Sequence, residues 1–280
     1  MKDLNLKGKV AVITGGAGIL CSQMARRLAG FGVKTAIVDL NPEAAKRLAI
    51  EIEKDYEVSS VGIFANVLDK GSLEAAKKEI NDHLGHVDIL INGAGGNSPS
   101  ATTKVEKIGS SDNEVTGDTF FGLQLEGFDK AFDLNFRGTL IPTMVFATDM
   151  IARKSGSIVN ISSMGAFRPL TRIAAYSAAK AAVNNFTQWL AVHFARTGVR
   201  VNAIAPGFIL TDQNRFLLFD EDSKGLTPRG RKIINSTPLE RYGTPEDLTG
   251  TLLYLVSDWS EFVTGAIIPV DGGFNAYSGV

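Results

Sequence analysis

Residues 9–21 read Lys-Val-Ala-Val-Ile-Thr-Gly-Gly-Ala-Gly-Ile-Leu-Cys, and this stretch decides the fold. Its first part is almost continuously apolar and β-branched, which predicts a strand at residues 9–14 that is buried on both faces. A turn with three glycines follows, and the spacing of a helix begins after it, at residues 21–31. A strand, a glycine turn and a helix in this order indicate the start of a βαβ unit.

The same alternation continues to the end of the chain. Further strands are predicted at residues 34–38, 60–64, 88–92, 156–162, 199–204 and 266–270, and further helices at 42–54, 72–84, 128–153, 175–197 and 245–256. Such alternation predicts a doubly wound (Rossmann-type) α/β fold, in which seven parallel strands carry helices on both faces. No repeat or low-complexity linker interrupts it, so we expect a single dinucleotide-binding catalytic domain over residues 1–280.

Two segments interrupt this alternation, at residues 96–127 and 208–242. Each follows a predicted strand at its carboxyl end, where ligands bind in open α/β sheets. Long loops in a compact domain are usually functional, so we interpret both segments as substrate loops or lids. A surface insertion or an oligomer contact is the alternative for each.

The composition excludes several classes of function. The 280 residues carry 29 Lys and Arg against 30 Asp and Glu, so neither nucleic acid nor a membrane surface is an expected partner. Cys21 is the only cysteine, which excludes an internal disulfide and a thiolate zinc site, and with three histidines we predict no metal. No apolar run is long enough for a membrane span and no signal peptide is evident, so we expect a soluble, cytoplasmic protein.

The glycine turn and the end of the second strand indicate a dinucleotide site. Glycines between a strand and a helix let backbone N–H groups approach a pyrophosphate. About twenty residues later, Asp39 ends the second predicted strand, where a carboxylate accepts hydrogen bonds from ribose hydroxyls and repels a 2′-phosphate. This pattern favours NAD over NADP, and the alternative for Asp39 is an ordinary helix cap.

A tyrosine and a lysine four residues apart give the most specific signal. Tyr176 and Lys180 share one face of a predicted helix, and Ser163 lies thirteen residues before the tyrosine, just past a buried strand. A tyrosine has an ordinary pKa of about 10. A neighbouring ammonium and a positively charged nicotinamide favour the phenolate, so we expect a lowered pKa for Tyr176. An exposed helix pair and a turn serine are the alternative.

These motifs, in this order, resemble the short-chain dehydrogenase/reductase family over essentially the whole chain. The resemblance rests on the glycine turn, Asp39, residues 91–95 (Ile-Asn-Gly-Ala-Gly), Asn135, residues 160–163 (Asn-Ile-Ser-Ser), Tyr176, Lys180 and the pair Pro206-Gly207. It implies hydride transfer to or from a carbonyl, with Tyr176 as general acid and base and Ser163 holding the carbonyl oxygen. Lys180 then holds the nicotinamide ribose and Asn135 supports a proton relay. The resemblance also implies a homodimer or homotetramer, formed through the helices predicted at 128–153 and 175–197.

The resemblance further implies a set of binding residues. For the cofactor they are Gly15, Gly16, Gly18, Ile19, Leu20, Asp39, Asn66, Val67, Asn92, Ala94, Gly95, Tyr176, Lys180, Pro206, Gly207, Ile209 and Thr211. Four positions depart from the family pattern. Ile19 and Cys21 stand where the family's T-G-x-x-x-G-x-G motif has glycine, and Gly93 stands where N-N-A-G has its second asparagine. Asn66 replaces a frequent aspartate.

A narrower resemblance connects the chain with the D-mannonate oxidoreductase (fructuronate reductase) branch of the family. It rests on residues 93–97, 166–170, 186–194, 212–218 and 274–280. It implies a D-fructuronate/D-mannonate pair as substrate and product, and substrate contacts from Asn97, Ser163, Arg168, Asn214 and Arg215. We expect Arg168 or Arg215 to hold the carboxylate, because arginine offers a bidentate fork. The alternatives are another polyol, a gluconate-type acid or a 3-oxoacyl substrate and, outside enzymes, a catalytically silent dinucleotide sensor.

Overall fold

The fold is built around a seven-stranded parallel sheet. The computed structural model describes residues 3–109, 117–211, 214–220 and 225–279. The strands run in the order β3-β2-β1-β4-β5-β6-β7. Their bounds are β1 Val10–Thr14, β2 Lys34–Asp39, β3 Ser60–Phe64, β4 Ile89–Asn92, β5 Gly156–Ile161, β6 Val199–Pro206 and β7 Ile267–Val270. The doubly wound sheet predicted from the sequence is therefore confirmed.

Helices cover both faces of the sheet. In the described ranges the α-helices are α1 Ile19–Ala29, α2 Pro42–Tyr56, α3 Lys70–His83, α4 Leu125–Phe132, α5 Gly138–Arg153, α6 Ala174–His193, α7 Arg215–Leu218, α8 Pro228–Asn235 and α9 Thr249–Val256. Local sequence explains their starts: in α2, for example, the Asn41 side chain accepts a hydrogen bond from the Ala44 N–H, and Pro42 occupies the first turn.

The strands are apolar because both of their faces are buried. Along β1, Val10 and Val12 pack into one hydrophobic cluster with α3 and α5, whereas Ala11 and Ile13 pack into the other with α1, α2 and α9. Successive strand residues point to opposite faces, so a strand between two helical layers has no polar face. β1 pairs with both β2 and β4, and the chain direction across the sheet reverses there. Open α/β sheets bind ligands at this reversal.

The prediction of one continuous helix at residues 128–153 is wrong. This segment consists of α4, a π-helical turn at Asp133–Arg137 and α5. Apolar spacing continues through the π turn, and so the interruption is invisible in the pattern. The segment at 245–256 is similarly divided, into a 3₁₀ turn at Pro245–Leu248 and α9.

The two interrupting segments contain more structure than the sequence indicated. Parts of both, residues 110–116, 212–213 and 221–224, lie outside the described residues. The second segment contributes α7 and α8, and Leu218, Ile233 and Tyr242 form a small core between them. Leu218 is thus buried, whereas Phe216, two residues before it, is 66% exposed. A separate finding is that no helix in the described ranges is long and apolar enough to span a membrane.

Candidate active site

The residues predicted to be catalytic meet at the carboxyl edge of the sheet. Ser163 caps a 3₁₀ turn just after β5, and its Oγ accepts a hydrogen bond from the Gly165 N–H at 3.1 Å. Tyr176 lies in the first turn of α6, and its hydroxyl is hydrogen bonded to the Ser163 side chain. The turn after β5 and the start of α6 therefore bring together two hydroxyl groups that are separated in sequence.

Lys180 lies one helical turn after Tyr176 and is almost completely buried. Its Nζ donates a 2.7 Å hydrogen bond to the Ile161 carbonyl at the end of β5 and lies 5.8 Å from the centre of the Tyr176 ring. Burial disfavours the charged ammonium and lowers the pKa of Lys180 to about 8. The lysine is thus fixed beneath the tyrosine by the backbone of the strand.

The pKa of Tyr176 departs from the sequence expectation. Burial raises this pKa above its ordinary value, and the hydrogen bond with Ser163 offsets the rise only in part. The protein's own groups therefore keep Tyr176 protonated at neutral pH, which suits a proton donor. The lowered pKa expected from Lys180 is not produced by this side chain, because burial of the phenol has the larger effect.

Asn135 lies on the π-helical turn between α4 and α5. Its Nδ2 donates to the carbonyls of Gly96 and Ala131, and its Oδ1 accepts from the Gly96 N–H. The Thr139 hydroxyl donates to the Asn135 carbonyl at 2.9 Å and satisfies it within the irregular turn. π turns of this kind occur frequently at functional sites, and this one places the Asn135 side chain against the loop after β4.

Gly95 shows how closely these groups approach the loop after β4. A Cβ atom on residue 95 would lie 2.8 Å from Asn135 Oδ1 and 3.1 Å from Lys180 Nζ. Neither atom can move without breaking its own hydrogen bonds. Glycine is therefore required here by the proximity of the catalytic side chains.

A cleft of about 520 Å³ opens above these residues, and we refer to it as the catalytic cleft. Of the predicted cofactor residues, thirteen line it: Gly15, Gly18, Ile19, Leu20, Asp39, Ala94, Gly95, Tyr176, Lys180, Pro206, Gly207, Ile209 and Thr211. The glycine turn and the catalytic residues therefore border one continuous space.

Four predicted cofactor residues do not line the cleft. Gly16 is packed beneath the turn, where a Cβ would lie 2.7 Å from the Ile13 carbonyl oxygen. Asn66 uses its Oδ1 to accept from the Leu68 N–H, and Val67 packs against Gly138. The Asn92 side chain points into the protein and donates to Thr143 and Asn160.

The glycine turn fits the phosphate-binding role. Gly15 has a φ of +59°, and a Cβ there would lie 2.9 Å from the Ala94 Cα, so the backbone of this turn lies directly against the loop after β4. Gly18 caps α1 without any side chain, which leaves the first N–H groups of the helix facing the cleft. A helix start of this kind favours bound anions such as a pyrophosphate.

Asp39 links the second strand to the glycine turn. Its Oδ2 accepts from the Ala17 N–H at 3.1 Å, and its Oδ1 accepts from the Asn41 N–H at 3.0 Å. The cap of α2 is Asn41, so Asp39 is not that helix's cap. The two backbone bonds orient the carboxylate at the edge of the catalytic cleft, where each oxygen retains a free lone pair.

The predicted substrate residues are divided between different environments. Asn97 donates to Thr102 and borders no described cavity. Asn214 lines the catalytic cleft, but its side chain is hydrogen bonded to the backbone of Ile209 and Thr211. Arg215 stacks its guanidinium over the Phe219 ring at 4.8 Å. Asn97 and Arg215 thus each have a structural partner within their own loop, and their role as substrate contacts stays a prediction.

Arg168 borders a second cavity, of about 350 Å³, next to the catalytic cleft. Its Nη1 donates to the Tyr277 carbonyl at 3.1 Å and so holds the C-terminal segment against the loop after β5. Phe208 lines both cavities, which shows that they adjoin. Among the residues that the structure describes, the charged side chains that border the second cavity are Arg168, Arg229, Lys232 and Glu106, and we call it the cationic cavity.

Comparison with known proteins agrees with this geometry. The sequence model of a family described as Enoyl-(Acyl carrier protein) reductase matches residues 17–275, which is nearly the whole chain. The chain belongs to the short-chain dehydrogenase/reductase family. It is accordingly an oxidoreductase.

Individual members of the family resemble the chain over its full length. The uncharacterized oxidoreductase UxuB of Bacillus subtilis (strain 168) is 51% identical over 99% of this chain and 98% of that protein. The crystal structure of a candidate D-mannonate oxidoreductase from Haemophilus influenzae, with bound NAD, has a TM-score of 0.93 and 49% identity over 99% of this chain and 98% of the other. The NAD⁺-bound structure of a xylitol dehydrogenase has a TM-score of 0.81 and 26% identity over 96% and 100% of the two chains.

Sequence reasoning missed several residues of this short-chain dehydrogenase/reductase site. Gly93, Gly96, Ile161, Ser162 and Phe208 line the catalytic cleft. All of them lie in or next to the quoted motifs. They could have been predicted, because ligands in open α/β sheets bind at the carboxyl ends of the strands. Arg229 and Lys232 had no such signal, because they belong to a helix that the sequence pattern did not reveal.

Proposed function

We propose that the protein is an NAD-dependent oxidoreductase that interconverts a keto-sugar acid and its hydroxy acid, D-fructuronate and D-mannonate. The observation that carries this proposal is the cationic cavity beside the catalytic cleft, with three cationic side chains and one carboxylate at its border. A sugar acid has a carbonyl for the cleft and a carboxylate for the cavity. The border also includes apolar side chains such as Leu170, Phe208 and Phe274, but a long acyl chain has no negative charge to pair with the cations there.

The residues that border the dinucleotide part of the cleft favour NAD over NADP. Asp39 borders the cleft with an oriented carboxylate, which suits two ribose hydroxyls and repels a 2′-phosphate. Gly15 and Gly18 border the part of the cleft next to α1, where the pyrophosphate would be held. When bound, NAD supplies or accepts the hydride.

The chain's own residues handle the oxygen of the substrate. In the reducing direction, Ser163 donates a hydrogen bond to the carbonyl oxygen, and Tyr176 transfers its hydroxyl proton to that oxygen while the carbon receives the hydride. In the oxidising direction, Tyr176 takes the proton back from the hydroxyl group. Lys180 and Asn135 stabilise the backbone that borders the site, because they donate hydrogen bonds to the carbonyls of Ile161 and Gly96.

The test is oxidation of NADH with a panel of carbonyl compounds. The panel contains D-fructuronate, 5-ketogluconate, D-fructose and a 3-oxoacyl thioester, so that it covers the gluconate-type, polyol and acyl alternatives. We expect the highest kcat/KM for fructuronate and a lower value for fructose, which has the same carbon chain without the carboxylate. A higher kcat/KM for the thioester or for fructose would contradict the proposal. Binding of NADH without turnover of any compound would indicate a sensor instead.

We also propose that the enzyme assembles as a homodimer or homotetramer through the outer faces of α5 and α6. Met144, Trp189 and Val192 are 56%, 57% and 79% exposed on these helices. The Trp189 ring is stacked between Phe186 and His193, which keeps this apolar surface rigid. Large exposed apolar patches mark interaction surfaces. Light scattering of the purified protein would show a mass of two or four chains, and replacing Trp189 and Val192 with glutamate would reduce it.

A further inference from the structure

Among the described residues, the charged side chains that border the cationic cavity are mostly cations. Arg168, Arg229 and Lys232 border it, with Glu106 as the opposing group among the described residues. Arg168 is used to hold the C-terminal segment through the Tyr277 carbonyl. Arg229 and Lys232 are the other two cations at this border, and neither is shown to bind the C-terminal segment as Arg168 does.

Helix α8 presents these two groups together. Arg229, Lys232, Ile233 and Ser236 all border the cavity, with the i, i+3, i+4, i+7 spacing of one helical face. The helix is well anchored: the Thr227 hydroxyl caps it, and the Tyr242 hydroxyl donates to the Gly230 carbonyl at 2.9 Å. A fixed helix places an arginine fork and an ammonium side by side, an arrangement suited to a carboxylate.

Glu106 already brings a carboxylate to this position. The Lys232 Nζ donates to Glu106 Oε2 at 2.5 Å. The pKa of Glu106 lies below its ordinary value, chiefly because of this hydrogen bond, and the charges of Lys232, Arg172 and Arg229 lower it further. Because both side chains are partly exposed, this pair is held weakly and is readily exchanged.

The cavity adjoins the turn that carries Ser163. Leu170 borders it, and the Leu170 Cγ lies 3.7 Å from the position of a Cβ on Gly165, whose N–H donates to Ser163 Oγ. In fructuronate, three hydroxyl-bearing carbons separate the keto carbon from the carboxylate. We therefore infer that a substrate with its carbonyl on Ser163 and Tyr176 places its acid end in the adjoining cavity, which α8 borders.

We propose that Arg229 and Lys232 bind the carboxylate of the sugar acid, and that Glu106 occupies this position in the ligand-free enzyme and is displaced by the substrate. This inference rests on the proposed function and refines it. It assigns the recognition of the acid to α8 and replaces the roles that sequence analysis gave to Arg168 and Arg215. The loop that carries Glu106 is released from Lys232 as the substrate binds.

The first test compares fructuronate with fructose in variants of α8. Arg229→Gln and Lys232→Gln are each expected to lower kcat/KM for fructuronate by about ten- to a hundredfold, mainly through KM, since a charged hydrogen bond is lost. Turnover of fructose should stay near the wild-type value. Arg231→Gln is the matched control, because Arg231 lies on the same helix and does not border the cavity. Equal losses on both substrates, or no loss on fructuronate, would overturn the inference.

The second test concerns Glu106. Glu106→Gln removes the competing charge, and so KM for fructuronate should fall by about two- to fivefold, the range typical of an exposed ion pair. The KM for fructose should not change. A higher KM for fructuronate in this variant would mean that Glu106 helps to bind the substrate, which would contradict its displacement.

A binding experiment separates this inference from the proposed function. Thermal unfolding is followed with NADH alone and with added D-mannonate or D-mannitol, because a ligand that binds the native state raises the Tm. A shift with mannonate that is absent in Arg229→Gln supports the acid site, even if fructuronate is not reduced and the proposed function fails. If mannonate shifts the Tm of Arg229→Gln and Lys232→Gln as it shifts the wild type, the acid site is refuted.

Discussion

The Sγ atom of Cys21 lies 2.2 Å from the point where a Cβ atom of residue 93 would begin. The two residues therefore exclude each other's side chains, and both depart from the usual family pattern. Cys21 stands where the dinucleotide motif has a glycine, and Gly93 stands where an asparagine is usual. The thiol is buried and fills the space next to the loop after β4. The two departures from the family pattern therefore depend on each other: the Cys21 side chain occupies space that is free because residue 93 is a glycine.

This relationship predicts strong coupling between the two positions. Gly93→Asn alone should lower the free energy of unfolding by about 1–3 kcal/mol or more, because the new side chain overlaps the sulfur. In Cys21→Gly the same substitution should cost less, because the overlap with the sulfur is gone and only the Thr14 carbonyl oxygen, 2.8 Å from the Cβ position, still opposes the new side chain. Urea unfolding of the wild type, both single variants and the double variant gives the coupling energy. Additive effects would show that the loop moves aside instead.

Removal of the Tyr176 hydroxyl should abolish proton transfer and leave the cofactor site intact. We expect Tyr176→Phe to lower kcat for fructuronate reduction by about 10²- to 10⁴-fold, the usual contribution of general acid catalysis. Binding of NADH, measured by its fluorescence, should stay near the wild-type value. Because burial raises the pKa of Tyr176, the donor stays protonated at neutral pH, and reduction should slow only as the pH rises through that pKa. Near-normal turnover in Tyr176→Phe would remove this mechanism.

The charge of Asp39 should set the preference for NADH. Asp39→Asn keeps one acceptor for the backbone at residue 17 or 41 but removes the negative charge that repels a 2′-phosphate. The ratio of kcat/KM for NADH over NADPH should fall about ten- to a hundredfold. Urea unfolding serves as the control, since a large loss of stability would mean that the turn has been disrupted. A wild type that prefers NADPH would contradict the role given to Asp39.

Because Lys180 is buried, we predict that the free energy of unfolding increases as the pH rises above about 8. The pKa of Lys180 falls from 10.5 to about 8 on folding. Below pH 8 the lysine is charged in both states, and above it the native state loses the proton first, so the free energy of unfolding rises with pH. The rise should reach about 1 kcal/mol between pH 8 and 9. Above pH 9 the buried Cys21 thiol acts in the opposite direction, since its pKa is raised to about 12.

The measurement is urea unfolding of the wild type and Lys180→Met at pH 7.5, 8.25 and 9. The methionine variant should lack the rise, because it has no proton to lose. It should also lack catalytic activity at every pH. Parallel pH dependences in the two proteins would show that Lys180 is charged in the folded state across this range.

The sequence by itself determined the sheet and indicated the residues that we propose to be catalytic. A strand buried on both faces must be apolar along its whole length, so the seven strands are visible as local composition, and the helix period places Tyr176 and Lys180 on one face. The glycine turn and Asp39 are equally local, because each follows directly from the end of a strand. Such features depend on neighbours in the chain, and a single sequence contains them.

Only the tertiary structure decided which charged residues border the cationic cavity. Arg168, Arg215, Arg229 and Lys232 are all cations in polar segments, and no local pattern separates them. Arg215 is occupied by the Phe219 ring and Arg168 by the Tyr277 carbonyl, a partner 109 residues away. The position of α8 depends on the Leu218, Ile233 and Tyr242 core, and the pairing of Cys21 with Gly93 joins two separate loops. These contacts arise from packing between distant segments, and so they are absent from any short stretch of sequence.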